Sequence, residues 1–190
     1  MADELVRRSD LARQKVEGTL QAGSLAQLVK ERQQEQQTFL LLDVSGSMAH
    51  PTADESQTRK IDALRRLVRD LQEQGVRCPL VAFSDDCRRV TEVPEPGGGT
   101  NLAGAIRYGA AAHALHLIVI SDGAPDSEQR ALTAAQAFGQ PIDVFYVGPP
   151  GTRGERFLAE LAAASGGRAQ TVSLSQTKQL ASAIRGLLTA

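Results

Sequence analysis

The sequence predicts an α/β fold, in which a mainly parallel central sheet with one short antiparallel edge strand lies between two layers of helices. The first observation is that apolar runs typical of strands alternate along the chain with segments whose apolar residues recur at helical spacing. The second is that the apolar runs end in acids, hydroxyls and glycines, as strands do where they reach a loop. The third is size: 190 residues with 42% hydrophobic content suffice for one well-buried domain.

The N-terminal segment differs in composition from the rest of the chain. Residues 1–37 are polar and rich in Gln, Arg and Glu, with helical spacing at Leu25, Leu28 and Val29. We therefore predict a helical N-terminal extension over residues 1–37 and a single α/β domain over residues 38–190.

The strands of this domain are predicted from short apolar runs bounded by turn residues. They span residues 38–43, 79–84, 88–93, 116–121, 142–147 and 169–172. The run at 88–93 follows its predecessor so closely that we predict a short antiparallel partner for it.

Five helices are predicted between or after these strands. They cover residues 61–71 with Gly75 closing the helix, 100–112, 126–138, 152–165 and 174–188. Asp126 with Gln129, and Thr152 with Glu155, have the spacing of capping boxes at two of the helix starts. Because strands and helices alternate, the sheet should be covered on both faces, which makes the fold a Rossmann-like three-layer sandwich.

Composition excludes several classes of function. The net charge is −1, aromatic residues make up 4% and Trp is absent, so the sequence shows neither a basic face nor a stacking surface for nucleic acid. The N-terminus lacks a basic head and an apolar signal core, and no apolar run approaches the length of a membrane span. We expect a soluble cytoplasmic protein without nucleic-acid or membrane partners.

Two cysteines occur in the chain, Cys78 and Cys87. They do not form a Cys-x-x-Cys pair, and reduced, buried thiols are the default for a cytosolic protein. A disulfide across a short strand pair is the alternative that the sequence leaves open.

The turn after the first strand carries three oxygen donors close together. Asp43, Ser45 and Ser47 follow the apolar run 39–42, and Gly46 allows the backbone to turn tightly. Since ligands bind at the carboxyl ends of strands in open α/β sheets, this turn is placed for binding. One carboxylate and two hydroxyls suit Mg²⁺, which prefers oxygen ligands. The alternative is an Asp/Ser cap of the following helix.

Two further segments also carry an oxygen donor next to glycine residues. Thr100 follows a run of three glycines, at residues 97–99, and begins a helix. Asp122 follows the apolar run 117–120 and precedes Gly123. Taken singly, Thr100 could be a helix cap and Asp122 part of an Asp-Gly turn.

Taken together, the pattern resembles a known site. Asp43-x-Ser45-x-Ser47, then Thr100, then Asp122 is similar to the metal-ion-dependent adhesion site (MIDAS) of von Willebrand factor type A (VWA) domains, and the resemblance covers about residues 37–188. It implies that Ser45 and Ser47 bind the metal directly, and Asp43 and Asp122 directly or through water. Thr100 would bind directly when a ligand is engaged. The implied ion is Mg²⁺, with Mn²⁺ or Ca²⁺ as alternatives.

The resemblance also implies a function. It predicts a protein-interaction module, not an enzyme, in which an Asp or Glu carboxylate of a partner protein completes the metal's coordination shell. Intracellular members of the family accompany AAA+ ATPases, chelatases or other multi-protein machines, so a partner of that kind is expected. In relatives, ligand binding is coupled to movement of the last helix, here about residues 174–188.

A Mg²⁺-dependent phosphohydrolase is the competing function. The haloacid dehalogenase-like pattern requires a second acid where this chain has Ser45, and the glycine run before Thr100 lacks the lysine of a P-loop. We also expect none of the chain's lysines to lie where it could steady a phosphoryl group; they are Lys15, Lys30, Lys60 and Lys178. A scaffold that has kept the fold without binding metal is the third class.

Other polar residues are interpreted as structural. His113 and His116 have metal-like spacing, but they straddle a helix end and a strand start, so a core or surface role is favoured. Asp85 and Asp86 are interpreted as a turn, and Asp126 as a helix cap.

Overall fold

The structure is a computed structural model that describes residues 27–30, 33–35, 37–52, 58–172 and 176–188. Residues Glu35–Ala190 form one compact unit. Most of the predicted N-terminal extension, including Leu25, lies outside the described residues, so the extension and its boundary at residue 37 stay predictions.

The sheet has six strands in the order β3-β2-β1-β4-β5-β6. The strands are β1 (Thr38–Asp43), β2 (Leu80–Phe83), β3 (Cys87–Val90), β4 (His116–Ser121), β5 (Ile142–Tyr146) and β6 (Ala169–Thr171). Neighbouring strands are parallel throughout, except that β3 pairs antiparallel with β2 at one edge. The predicted mainly parallel sheet with a short antiparallel edge strand is confirmed.

Within the described ranges, five helices flank this sheet. They are α1 (Lys60–Glu73), α2 (Leu102–Ala111), α3 (Glu128–Phe138), α4 (Arg153–Ala164) and α5 (Thr177–Leu188). A short 3₁₀ helix, Gly46–Ala49, which the sequence analysis did not predict, follows β1. Thr152 caps α4 as predicted, because its hydroxyl accepts the N–H of Glu155 at 3.2 Å.

The predicted capping role of Asp126 is wrong. Ser127 is the N-cap of α3, and its hydroxyl accepts the N–H of Arg130 at 3.3 Å. The carboxylate of Asp126 instead accepts the N–H of Thr100, which lies in another loop. A local capping pattern cannot reveal a competing partner that is distant in sequence.

The two faces of β1 point into two separate hydrophobic cores. Leu40 and Leu42 belong to the core that α1 and α5 cover, while Phe39 and Leu41 belong to the core that α2, α3 and α4 cover. All four side chains are buried, which explains why the sequence of β1 is continuously apolar and does not alternate. Helices therefore cover both faces of the sheet, as the sequence predicts.

The chain changes direction across the sheet next to β1. The chain passes from β1 through α1 to β2 on one side, and later enters β4 on the other side of β1. The carboxyl ends of β1 and β4 are neighbours, with Leu42 opposite Ile120 in the parallel register. In open α/β sheets this kind of switch point is where ligands bind.

Cys78 and Cys87 are free thiols, and burial raises the pKa of Cys78 to about 12. Among the described residues, no helix has both the length and the apolar character needed to cross a membrane.

Candidate metal centre

The carboxylate of Asp43 organises the turn after β1. This side chain is fully buried, and its Oδ1 accepts the backbone N–H of Ser45 at 2.8 Å. Its Oδ2 accepts the hydroxyl of Ser121, the last residue of β4, at 2.5 Å. Because one oxygen bonds its own turn and the other bonds the neighbouring strand, Asp43 fixes the turn against β4.

A chain of hydroxyls connects this turn to Asp122. The hydroxyl oxygens of Ser45 and Ser47 lie 3.0 Å apart, and the Ser47 hydroxyl donates to Asp122 Oδ1 at 2.7 Å. Ser45 and Asp122 are buried, and Ser47 is half-buried. The structure therefore brings together four of the five residues predicted from the sequence, although Ser47 and Asp122 lie 75 positions apart.

The glycine loop, residues 97–99, directly precedes Thr100 and is attached to the turn after β1 through its backbone. Gly46 donates its N–H to the carbonyl of Gly98 at 3.1 Å, and Gly97 donates to the carbonyl of Val44 at 2.8 Å. These two bonds attach the glycine loop to the turn after β1. Thr100 follows two residues later with a half-buried side chain. The predicted capping of α2 falls to Asn101, whose side chain accepts the N–H of Gly104.

Two acids that the sequence analysis treated as structural hold the glycine loop in place. Asp85 Oδ1 accepts the N–H of Gly99 at 2.9 Å, and Asp126 Oδ1 accepts the N–H of Thr100 at 2.8 Å. Asp85 also lies in the turn between β2 and β3, as predicted, where Ser84 donates its N–H to the carbonyl of Asp86. Asp85 and Asp126 thus position Thr100 without being among the predicted metal ligands.

Lys60 also lies in the site, although the sequence analysis expected no lysine where it could steady a phosphoryl group. Its ammonium nitrogen is 2.5 Å from Asp122 Oδ2 and 3.5 Å from the carbonyl oxygen of Ser47. The residue is only 8% exposed. Lys60 is the first residue of α1, and α1 packs directly against the turn that carries Ser47. A lysine at a helix N-terminus opposes the helix dipole, and this local signal could have marked it.

Burial raises the pKa of Asp43 to about 6. Hydrogen bonds from Ser121 and Ser45 act in the opposite direction, and the negative charge of Asp122 adds to the rise. The groups around Asp43 therefore do not fully offset the negative charge of its buried carboxylate. A divalent cation beside it would supply that compensation.

The donor set fits a small, hard divalent cation. Asp43, Ser45, Ser47 and Asp122 offer only oxygen atoms, as Mg²⁺ prefers, and a cation, the ammonium of Lys60, already lies among them. Within the described residues no group of three or more His, Cys, Asp or Glu side chains could hold a metal ion. A metal ion bound here would therefore need the hydroxyls of Ser45 and Ser47 as ligands.

His113 and His116 lie apart from this cluster. His116 begins β4, at the amino end of the sheet, and its Nε2 is 2.9 Å from a carboxylate oxygen of Asp143. His113 lies at the end of α2 with a φ of 59°. This arrangement agrees with the structural interpretation of both residues.

Comparison with known proteins shows a similarity in fold. No family model matches the chain, and no curated protein matches it. Among solved structures, the chain is similar to an aerotolerance-related membrane protein from Bacteroides fragilis NCTC 9343, crystallised with multiple mutations to serines. The TM-score is 0.59 at 16% identity, covering 80% of this chain and 97% of that one.

A second similar structure is the RO (RSR) protein of Deinococcus radiodurans. The TM-score is 0.49 at 14% identity, and the match covers 80% of this chain and 35% of that one. The likeness to the Bacteroides protein shows a shared fold.

Proposed function

We propose that this chain is an intracellular, cytoplasmic VWA-type protein-interaction module that binds Mg²⁺ and engages an acidic residue of a partner protein. One observation carries the proposal: Asp43, Ser45, Ser47 and Asp122 form a connected hydrogen-bonded cluster of oxygen donors at the switch point of the sheet. The resemblance of the motif adds Thr100 as the fifth ligand. A partner within an AAA+ ATPase-linked or other multi-protein assembly is part of the proposal.

Each residue of the site would have a distinct part in binding. The bound ion supplies an electrophilic position that accepts one further anionic oxygen. Asp43 and Asp122 would offset its charge, and the hydroxyls of Ser45 and Ser47 would complete its shell without neutralising it. Thr100 follows the glycine loop, which is bonded to the turn after β1, and its hydroxyl would approach the ion from that loop. A carboxylate of the partner would then be bound without a deep pocket.

Calorimetric titration with Mg²⁺ and Mn²⁺ tests the metal part of this proposal. Asp143 provides a matched control for Asp43, since it is also a buried aspartate but lies near the amino end of β5. We expect wild type and Asp143→Asn to bind one ion per chain and Asp43→Asn to lose binding. Absence of heat in all three proteins would contradict metal binding.

Affinity capture with and without EDTA tests the partner part. We expect a partner that is retained by the wild type in Mg²⁺, released by EDTA and not retained by Asp43→Asn. Thr100→Ala should weaken partner binding while reducing metal affinity only modestly, because Asp43 and Ser45 still hold the ion. Alanine substitution of each acid in the partner's contact segment should identify one carboxylate. Partner binding that survives both EDTA and Asp43→Asn would place the interaction elsewhere on the chain.

A Mg²⁺-dependent phosphohydrolase is the second candidate, and the position of Lys60 favours it more than the sequence did. A lysine paired with Asp122 in this site could steady a phosphoryl group. Against it, both oxygens of Asp43 are already hydrogen-bonded and fully buried, which makes this carboxylate a poor nucleophile. Turnover of generic phosphomonoesters with Mg²⁺, lost in Asp43→Asn, would favour the enzyme.

A further inference from the structure

Lys60 is a buried lysine at the N-terminus of a helix. Lysine is almost never buried unless it is paired, and Lys60 is only 8% exposed. It is also the first residue of α1, where the helix dipole disfavours a positive charge. Burial and the helix dipole both disfavour the positive charge of the ammonium, so its hydrogen-bond and ion-pair partners must offset this cost.

The compensation comes from residues predicted to hold the metal. The ammonium of Lys60 lies 2.5 Å from Asp122 Oδ2 and 3.5 Å from the carbonyl oxygen of Ser47. The other oxygen of Asp122 accepts the hydroxyl of Ser47 at 2.7 Å. The structure thus places the chain's own positive charge beside the carboxylate that would offset a bound ion.

An ammonium and a divalent ion cannot share this site without cost. The carboxylates of Asp43 and Asp122 bring two negative charges, and the pairing with Lys60 already offsets one of them. In a buried site of low effective dielectric constant, the repulsion between Lys60 and an incoming ion is strong. The long, flexible stem of a lysine allows its head group to leave while the helix stays in place.

We propose that Lys60 is a tethered cation that occupies the site in the metal-free protein, and that a divalent metal binds by displacing its ammonium from Asp122. This inference rests on the proposed function and adds a residue that determines metal affinity. It follows that metal binding is weaker than the oxygen ligands alone would make it. A partner's carboxylate would favour the metal-bound form, because it gives the ion one further anionic oxygen ligand.

Titration of a charge-deleted variant tests the affinity. Lys60→Met keeps the length of the stem and removes the charge, and Lys178→Met is the matched control on an exposed face of α5. We expect the Kd for Mn²⁺ to fall about tenfold or more in Lys60→Met, which corresponds to about 1.4 kcal/mol, and to stay unchanged in Lys178→Met. Without metal, Lys60→Met should melt at a lower temperature than the wild type, since Asp122 loses its partner.

A measurement on the wild type tests displacement directly and does not depend on the variant folding. The amines are acylated with a small N-hydroxysuccinimide ester, and the rates at individual lysines are followed by mass spectrometry. We expect Lys60 to react slowly in EDTA and several-fold faster in saturating Mn²⁺. Lys178 should react at the same rate in both conditions and serves as the internal reference.

The outcomes separate this inference from the proposed function. If the wild type binds metal but Lys60→Met binds it no more tightly, or if the acylation rate of Lys60 does not rise with Mn²⁺, the tethered-cation inference is overturned and the proposed function stands. If only Lys60→Met binds metal, the ammonium of Lys60 blocks the site without being displaced, so both the displacement inference and the proposed function of the wild type fail. If neither protein binds metal, both are overturned.

Discussion

The two carboxylates of the site differ in how their charge is compensated. Asp122 pairs with the ammonium of Lys60, whereas Asp43 is held only by hydrogen bonds from Ser45 and Ser121. Neutral donors compensate a buried charge less well than a cation does, so burial dominates at Asp43 and raises its pKa to about 6. Removal of the metal should therefore leave the charge of Asp43 less compensated than that of Asp122.

The metal-free protein should become less stable as the pH rises through the range in which Asp43 ionises. The pKa of this carboxyl moves from 3.8 to about 6 on folding, so the folded protein binds more protons than the unfolded chain between these values. The free energy of unfolding consequently falls with rising pH, by roughly 3 kcal/mol for a shift of about two units. Asp43→Asn removes this contribution.

Urea unfolding in EDTA between pH 4 and 7 measures this effect as the difference between wild type and Asp43→Asn. Asp143→Asn is the control. Burial acts to raise the pKa of Asp143, but hydrogen bonds from His116 and the N–H of Arg168 outweigh it and lower the pKa. Its contribution is therefore lost as the pH falls, in the opposite sense. Parallel pH profiles for wild type and Asp43→Asn would show that Asp43 is not perturbed.

At the scale of elements, the glycine loop between β3 and α2 is held by carboxylates on either side. A Cβ atom built on Gly98 would lie 2.2 Å from Asp85 Oδ2, and Gly98 has a φ of 78°, which L side chains rarely adopt. Asp85 cannot move away freely because it also accepts the N–H of Gly99. The loop needs glycine at this position both for its backbone conformation and for the approach of Asp85.

Gly98→Ala should therefore destabilise the protein by about 1–3 kcal/mol and weaken metal and partner binding through the displaced Thr100. Gly97→Ala is the matched control in the same loop, because a Cβ there meets nothing within 4 Å and the φ of Gly97 is not positive. Chemical denaturation and calorimetry of the two variants make the comparison. Equal stability of Gly98→Ala and Gly97→Ala would contradict the role assigned to the contact with Asp85.

At the scale of the whole molecule, the site is assembled from segments that are far apart in the chain. The turn after β1, the glycine loop, the end of β4 and the start of α1 each contribute, and the parallel pairing of β1 with β4 brings the first and third together. An unfolded chain cannot present these groups at once. Metal should therefore bind the folded state and not the unfolded chain.

Metal should accordingly stabilise the whole domain. At a hundredfold excess of Mg²⁺ over its Kd, the stabilisation is about 2.7 kcal/mol. For a domain of this size that corresponds to a rise in melting temperature of roughly 5–10 °C. Thermal unfolding of wild type and Asp143→Asn should show the rise, and Asp43→Asn should not. A melting temperature independent of Mg²⁺ and Mn²⁺ in the wild type would contradict metal binding at the folded site.

The sequence by itself determined the elements and the predicted ligand set. Continuous apolar runs and helical spacing are local properties, so the strands, the helices and their alternation could be predicted from them. Asp43, Ser45 and Ser47 lie on one turn, and Asp122 follows a strand of the same kind, so their convergence also followed from the rule that ligands bind at strand carboxyl ends.

Only the tertiary structure decided which other side chains share the site. Lys60, Asp85 and Asp126 come from a helix start and two loops, and nothing in their local sequence states which neighbour they will meet. Their contacts depend on the strand order and on the packing of α1 and the loops at the carboxyl edge of the sheet. Burial strengthens the contact of Lys60 with Asp122, because charges removed from water need partners. Asp85 and Asp126 are exposed, and they hold the glycine loop through hydrogen bonds to its backbone N–H groups.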